Sequence, residues 1–476
     1  MKTLKNYLYN LSYQLLTLIV PLITTPYISR VLKAEGIGRY SYTQAIMEYF
    51  VLFGLLGMTT YGSRQIAYVR DDEDEKSQTF WDLNATRIIT MTIATFGYAI
   101  FCFFNADDKV LYIVQGFTVL ASLIDISWYY AGVEKFKIMA IRNIFVKIFS
   151  VILIFVFVKS RDDLVLYAII VSLSLFLGQA FLWTGIKKEV FYKKVIWKNV
   201  KTHLGGSFKL WLPTIAASIY TSFDKIMLGY FTNDTQVGLY VNSQKIVKIA
   251  TTVTTSLATV TIPKVANSYS NGKIEEMRDT VYKSLTAVSF LAFPMCMGLM
   301  AIRKTLVPWF LGEGFEPVVN LLLISSLLII TLSWSSILAN QVLVATKREN
   351  YYTAAIVIAA IVNTVLNLIL IPKLQSLGAL ITSVIAEYLG MLIMLWFSRN
   401  VISVKLFLTK IAKYAICSII MYIVVYGIGE MLQKTFMTTI LQLGIGGVVY
   451  MGMMCMLHDP ILQYFMHGVL EKIKRK

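Results

Sequence analysis

Cysteine and histidine are scarce in this chain of 476 residues, which has four cysteines and three histidines. No two cysteines form a CxxC pair, and all four fall inside long apolar runs, at positions 102, 296, 417 and 455. Neither a disulfide framework nor a zinc site is expected, and the thiols are predicted to be buried. No stretch between the apolar runs is long enough for a separate soluble domain. We predict no catalytic residue, no metal and no cofactor.

Acidic residues are also few, 27 against 44 lysines and arginines, and the formal net charge is +17. Such an excess can indicate nucleic acid, but its distribution indicates a membrane. Basic residues cluster in a stretch between two apolar runs and at the end of the chain: Lys187, Lys188, Lys193, Lys194, Lys198 and Lys201, then Lys472, Lys474, Arg475 and Lys476. By the positive-inside rule this pattern predicts that both termini are cytoplasmic, with the basic segments near membrane lipids.

Long apolar runs are abundant, with 57% hydrophobic residues and a mean hydropathy of +0.65. Runs of about 20 residues can each cross a bilayer. The first is followed by Arg30 and Lys33 instead of a small-residue cleavage site, so we expect a permanent helix there. The predicted fold is all-α and integral to the membrane, with about fourteen spans: 8–29, 40–61, 84–105, 110–131, 141–158, 163–184, 208–230, 237–260, 284–303, 317–338, 352–371, 377–398, 407–429 and 436–457.

A segment near the start of the chain recurs some two hundred residues later. Residues 35–46 read EGIGRYSYTQAI, and residues 235–246 read TQVGLYVNSQKI. Glycine, tyrosine, glutamine and isoleucine match in register, and each copy follows an apolar run that contains proline. A duplicated membrane half is typical of transporters that bind their substrate in a central cavity.

The duplication predicts two parallel six-helix lobes, because an even number of spans returns the chain to the same side. The lobes are predicted at 1–186 and 206–400, joined by a basic cytoplasmic linker at 187–205. Residues 401–476 then add two helices and a basic tail.

Ionisable residues inside predicted spans are the candidate site. Each costs at least about 2.5 kcal/mol near the bilayer centre, so such residues usually face a cavity or a protein partner. The cations Lys225, Lys245 and Lys248, with Arg30 at a span end, can neutralise a phosphate, or can instead form internal salt bridges or reach the lipid headgroups. The acidic residues are candidate ion-coupling sites or structural hydrogen-bond acceptors: Glu48, Asp125, Asp224 and Glu387.

Helical spacing groups several of these residues with polar neighbours. Ser41, Gln44 and Glu48 share one helical face, and Asn363 and Asn367 share another. A third stripe contains Lys245, Lys248, Thr252, Thr255 and Thr259. We expect these stripes to point away from lipid.

Two motifs resemble a known family. The opening PLITTPYISRVL at 21–32 with EGIG at 35–38, and the later DKIMLGYF at 224–231 with GLY at 238–240, resemble the bacterial polysaccharide transporters. These are the O-antigen and capsule repeat-unit flippases of the multidrug/oligosaccharidyl-lipid/polysaccharide exporter superfamily. The resemblance extends over most of the chain, although only these motifs are specific.

The resemblance implies a two-lobed, fourteen-helix carrier that works by alternating access. It implies transfer of undecaprenyl-pyrophosphate-linked oligosaccharide from the inner to the outer leaflet of the bacterial plasma membrane. It implies glycosyltransferases and a glycan polymerase as partners. It also implies that Arg30, and with it Lys225, Lys245 and Lys248, contact the pyrophosphate.

Three other functions are compatible with an apolar, basic membrane protein. A multidrug exporter of the same superfamily would share the fold, but a cationic cavity suits an anionic headgroup better than cationic drugs. A flippase for the peptidoglycan precursor is not excluded by charge. A membrane glycosyltransferase or polymerase would usually carry a large outer loop or paired catalytic carboxylates, and this sequence has short loops.

Overall fold

The chain is almost entirely helical in a computed structural model, which describes residues 2–105 and 107–463. Sixteen α-helices follow one another in the described ranges. They are α1 Lys2–Leu55, α2 Met58–Val69, α3 Glu73–Phe104, α4 Lys109–Leu123, α5 Ser127–Gly132, α6 Phe136–Phe157, α7 Leu164–Ile186, α8 Trp197–Phe231, α9 Asp234–Val260, α10 Ile262–Ser270, α11 Ile274–Leu311, α12 Val318–Ser325, α13 Leu328–Ile337, α14 Glu349–Phe397, α15 Val404–Met431 and α16 Phe436–Met456. The helices form two compact units, Met1–Gly238 and Leu239–Lys476.

Eleven helical stretches within the described residues are long and apolar enough to cross a membrane. Two of them, Ile19–Val69 and Glu349–Phe397, have 51 and 49 residues, about twice the length that one crossing needs. Each contains a residue with a left-handed backbone, Lys33 at φ 57° and Gln375 at φ 52°. The predicted all-α membrane class is confirmed.

Aromatic side chains fill the core at one end of the first unit. Phe80 of α3 stacks on Trp128 of α5, with 5.5 Å between ring centroids. Gly62 of α2 lies so close that a Cβ there would be 2.9 Å from the Trp128 ring. This tight packing fixes the polar ends of α3 and α8, which lie beside the cluster.

In the second unit, α11 packs against α13, α15 and α16. Trp334 of α13 donates to the hydroxyl of Ser289 at 3.0 Å, and Tyr450 of α16 donates to the carbonyl of Phe290 at 2.8 Å. Helix α16 is therefore bound to α11 by a buried hydrogen bond, which is costly to break in an apolar interior, and α15 packs against α11 beside it.

The prediction of buried thiols is correct for three cysteines and wrong for one. Cys102, Cys296 and Cys417 are buried, whereas Cys455 is exposed on α16. An apolar run predicts a membrane environment, but it does not say whether a side chain faces protein or lipid.

Candidate functional site

The two copies of the duplicated segment meet at their matching glycines. A Cβ on Gly38 would lie 1.6 Å from the carbonyl oxygen of Asp234, and a Cβ on Gly238 would lie 1.9 Å from that of Ala34. The contacts are reciprocal, since each glycine faces the carbonyl four residues before the other. Only glycine allows two backbones to approach this closely. The crossing fixes the start of both polar helical segments at one point.

An ion pair lies beside this crossing. Arg39, next to Gly38, pairs with Asp108 in the connection between α3 and α4. The arginine is also within electrostatic reach of Asp234 and Glu35. One cation thus faces three carboxylates where the two copies cross.

Glu48 lies on the second part of α1, half-buried, four residues after Gln44. The Gln44 side chain donates to Glu48 at 2.9 Å. Ser41 on the same face is buried. The predicted polar face of this segment is thus a hydrogen-bonded pair beside a buried serine, and Glu48 retains acceptor positions beyond the glutamine contact.

Asp224 and Lys225 lie on α8, which packs against α1. Phe223 of α8 and Tyr49 of α1 make an edge-to-face contact, with 6.3 Å between ring centroids. Tyr49 is within electrostatic reach of both Glu48 and Asp224. Two of the predicted carboxylates therefore share a neighbourhood in the first unit.

The two neighbouring residues differ in burial and pairing. Asp224 is 2% exposed and interacts with another group. Lys225 is half-buried and makes no hydrogen bond or ion pair to any residue that the structure describes. A partly buried ammonium in that condition is a good ligand for an anion.

Asp125 has a local structural task. Its carboxylate accepts from the backbone N–H of Ser127 at 2.7 Å, and its carbonyl accepts from the Trp128 indole at 3.0 Å. It therefore shapes the turn that joins α4 to α5. Arg30 lies elsewhere in the unit, exposed on α1 and engaged in an interaction of its own.

Lys245 and Lys248 lie on α9, in the second unit. Lys245 is half-buried and interacts with another group, while Lys248 is exposed. The Thr252 hydroxyl donates to the Lys248 carbonyl at 2.7 Å, and that of Thr255 to the Thr251 carbonyl at 2.8 Å. These hydroxyls have used their donors on the helix itself and offer acceptors to a ligand. The side chain of Thr259 lies outside the described residues.

The remaining predicted residues lie on α14. Glu387 is half-buried, interacts with another group, and is within electrostatic reach of Tyr352. Asn363 and Asn367 are buried, and Asn367 donates to Asn363 at 3.1 Å while accepting from Thr382. The asparagine stripe thus joins the two parts of α14 across its interruption at Gln375.

The sequence pattern gives no sign of one buried charged residue on α3, Asp82, and places another, Arg87, only at the end of a predicted span. Asp82 is fully buried and accepts from the backbone of Ile196 at 2.8 Å and the Asn199 amide at 2.8 Å, just where α8 begins. Arg87 is also fully buried, and Asn84 accepts from it at 2.7 Å. The predicted span begins at residue 84, which leaves Asp82 outside it and places Arg87 in its first turn.

Comparisons with known proteins agree with this architecture. The family described as polysaccharide biosynthesis protein matches residues 3–268, more than half of the chain. A putative O-antigen transporter of Escherichia coli (strain K12) is 24% identical over 387 residues, covering 80% of this chain and 93% of the relative. A probable low-salt glycan biosynthesis flippase of Haloferax volcanii is 22% identical over 305 residues, 62% of each chain.

The fold is similar to a solved structure of a lipid II flippase, MurJ, in an inward closed conformation. That similarity has a TM-score of 0.76 at 16% identity and covers 96% of this chain and 100% of the other. The fold class is therefore shared, while the sequence matches identify the family. The predicted resemblance is confirmed: this chain belongs to the polysaccharide biosynthesis protein family.

Proposed function

We propose that this chain is a flippase that moves a lipid-linked oligosaccharide unit across the plasma membrane. The observation that carries the proposal is the family match over residues 3–268, which covers both copies of the duplicated segment. The multidrug exporter, the membrane glycosyltransferase and the glycan polymerase are not favoured, since the matched relatives are named for O-antigen transport and glycan flipping.

The chain crosses the membrane fourteen times in this proposal, with both termini cytoplasmic. Eleven apolar stretches are long enough for a crossing, and two of them are long enough for two. Helix α8 adds one more, because residues 208–230 are apolar in sequence. The crossings form two parallel six-helix lobes followed by two extra helices, with the basic segment 187–205 on the inner side.

The headgroup is bound by Arg30, Lys225, Lys245 and Lys248. Support comes from Lys225, which has no partner among the described residues, and Lys248, which is exposed. Lysine and arginine are the usual partners of phosphate oxygens, and an undecaprenyl pyrophosphate carries two phosphate groups. Hydroxyl and amide side chains contact the sugars, while the prenyl chain stays in lipid.

Membrane voltage supplies part of the driving force. Export of about two negative charges is downhill by roughly 4–5 kcal/mol per 100 mV when the cell interior is negative. Glu48, Asp125, Asp224 and Glu387 are the candidate sites for a coupled ion. Glu48 and Asp224 are the strongest pair, because both lie near Tyr49. Glycosyltransferases on the inner side would supply the substrate, and a polymerase on the outer side would consume it.

The test is the location of lipid-linked oligosaccharide in cells that lack this chain. We expect loss of surface glycan, accumulation of inward-facing lipid-linked units, and rescue by the wild-type chain but not by Lys245→Ala/Lys248→Ala. A matched control is Lys405→Ala/Lys410→Ala, which removes two exposed lysines at the start of α15 and should rescue fully. Normal surface glycan without accumulation would refute the proposal, and accumulation of peptidoglycan precursor would identify that lipid as the substrate.

A further inference from the structure

The segment that leads into α8 is bound to α3 through its backbone. The N–H of Phe191 donates to the Ser77 hydroxyl at 3.1 Å, and its carbonyl accepts from the Trp81 indole at 2.9 Å. Farther on, the Lys194 carbonyl accepts from the Gln78 amide at 3.1 Å. Asp82 then accepts from the residues at the start of α8, as described above. The segment and the start of α8 are thus attached to four residues within two turns of α3.

Several side chains of the same segment and of the first turns of α8 are exposed, and these are aromatic, apolar or basic. Tyr192 is 80% exposed, with its ring edge to face on Trp81 at 5.5 Å between centroids, and Trp197 is 66% exposed. Three lysines lie beside them, all exposed: Lys194, Lys198 and Lys201. We call residues 191–209 the lysine–aromatic strap.

The first turns of α8 continue the same surface. Trp197, Leu204 and Phe208 recur at helical spacing and are exposed, while Val200 and Ser207 on the other face are buried. Helix α8 has 35 residues and is about 52 Å long, some 20 Å longer than the hydrocarbon core of a bilayer. The beginning of α8 can therefore lie at the membrane surface while the rest crosses the membrane.

We propose that the lysine–aromatic strap binds anionic phospholipid headgroups in the leaflet that surrounds this end of the first unit. Tryptophan and tyrosine rings prefer the headgroup region, and lysines beside them attract anionic lipid. The basic segment could instead be only a solvent-exposed connection between helices. Such a connection does not need backbone attachment to a neighbouring helix or outward aromatic rings.

The acidic neighbours of the strap lie at the start of α3, where the run of five acidic residues at 71–75 precedes Ser77. Lys193 pairs with Asp74 at 2.7 Å on the α3 side. The buried carboxylate of Asp82 is occupied by backbone and amide donors. No ion pair is found for Lys194, Lys198 or Lys201 within residues 2–105 and 107–463. The three lysines are therefore available for lipid phosphates.

The test is lipid binding by the purified full-length chain in neutral detergent. Dye-labelled phosphatidylglycerol and phosphatidylcholine, carrying the same dye, are titrated separately while energy transfer from tryptophan is recorded. For Lys194→Gln/Lys198→Gln/Lys201→Gln we expect the Kd for phosphatidylglycerol to rise tenfold or more, since each surface lysine contributes roughly fivefold. The Kd for phosphatidylcholine should not change.

A matched control removes the same charge elsewhere, with Lys264→Gln/Lys347→Gln/Lys405→Gln, three exposed lysines of the second unit that form no ion pair with the described residues. It should change neither Kd by more than about twofold. Tyr192→Ala should weaken binding of both lipids, because the ring contacts the acyl–headgroup boundary of either. Equal losses of affinity in the control and the strap variant would show that the net charge of the protein, and not a local site, determines lipid binding. An unchanged Kd in the strap variant, or displacement of the lipid by inorganic phosphate, would overturn the proposal.

Discussion

The two copies of the duplicated segment keep their packing and change their charge. Gly38 and Gly238 occupy the same position in the reciprocal backbone crossing. At the last matching turn, however, the first copy has Glu48, half-buried beside Gln44, and the second has Lys248, exposed on α9. Backbone approach tolerates no divergence, whereas a charged position on a polar face can reverse its sign without disturbing the helix.

The tyrosines of the two copies are alike in burial but differ in their contacts. The Tyr40 ring packs edge to face on Tyr167 of α7, with 4.9 Å between centroids. The Tyr240 hydroxyl instead lies 3.3 Å from the Ser383 hydroxyl of α14. Both rings are buried. Both copies thus have a buried ring, and among residues 2–105 and 107–463 a hydrogen bond of the hydroxyl is found only for Tyr240.

The largest effect should come from adding one methyl group at the crossing. Gly38→Ala and Gly238→Ala each place a Cβ within 2 Å of a backbone carbonyl, so the two segments must separate. We expect each change to cost about 3 kcal/mol or more and to reduce the yield of folded protein. The measurement is thermal unfolding in detergent, with folded yield from size-exclusion chromatography.

Gly447→Ala is the matched control for this pair. Gly447 lies inside α16 with nothing within 4 Å of its Cβ position, so alanine there should be neutral or slightly stabilising. A Gly38→Ala chain as stable as the Gly447→Ala chain would mean that the crossing is not required for the fold. A large loss of stability in only one of the two crossing variants would show that the two copies do not contribute equally to the fold.

A second comparison sets one buried carboxylate in each unit against the other. Asp82 in the first unit accepts from amide and backbone donors, whereas Asp459 in the second also pairs with Lys413. Burial alone would raise the pKa of Asp459, but Lys413, the Tyr414 hydroxyl and the backbone N–H of Leu462 hold its pKa below the ordinary value. The charged form of Asp459 therefore stabilises the fold.

We expect Asp459→Asn to cost about 2 kcal/mol at neutral pH, because hydrogen bonds to a charged group are lost. A depressed folded-state pKa gives stability that is present above the unfolded pKa of about 3.9 and is lost as the pH falls through the folded value. The difference in Tm between wild type and variant should thus shrink below about pH 4. Glu275→Gln, which breaks an exposed pair with Arg278, should cost under about 1 kcal/mol. A pH-independent difference would contradict the assigned role.

The sequence predicted the helical membrane class because long apolar runs have few other stable structures. It also singled out Gly38 and Gly238 as matching positions, although only the structure shows that they touch. Contact between residues so far apart in the chain depends on tertiary packing, which periodicity does not encode.

The candidate charges differ in their surroundings for a similar reason. Lys225 is a candidate anion-binding residue because it lies in an apolar run, and it is half-buried without a partner among the described residues. Asp125 was chosen on the same ground, yet it accepts from Ser127 in a turn. Asp82 was overlooked, although it is fully buried. A run of apolar residues marks a membrane helix, but the partner of a charge comes from another helix.

The tyrosine pair should show a smaller effect, confined to one copy. Tyr240→Phe removes the hydroxyl that lies against Ser383, and we expect a loss of about 1 kcal/mol. Tyr40→Phe keeps the ring against Tyr167 and should change stability by less than about 0.5 kcal/mol. Thermal unfolding of the two variants side by side measures the difference. Equal losses would show that the Tyr40 hydroxyl has a role that its ring contact does not reveal.

The smallest effect on stability, and the sharpest on transport, should come from the position where the copies differ in sign. Lys248→Gln removes an exposed charge and Glu48→Gln retains a hydrogen-bonding side chain beside Gln44, so each should shift stability by under about 0.5 kcal/mol.

If Lys248 binds the headgroup, Lys248→Gln lowers the rate of surface-glycan formation at every membrane voltage, because an attractive contact is lost. If Glu48 holds a coupled ion, Glu48→Gln instead abolishes the dependence of that rate on the ion gradient. Surface glycan measured in cells while voltage and ion gradients are varied separately distinguishes the two. Identical responses from the two variants would mean that the reversal of charge between the copies has no mechanistic meaning.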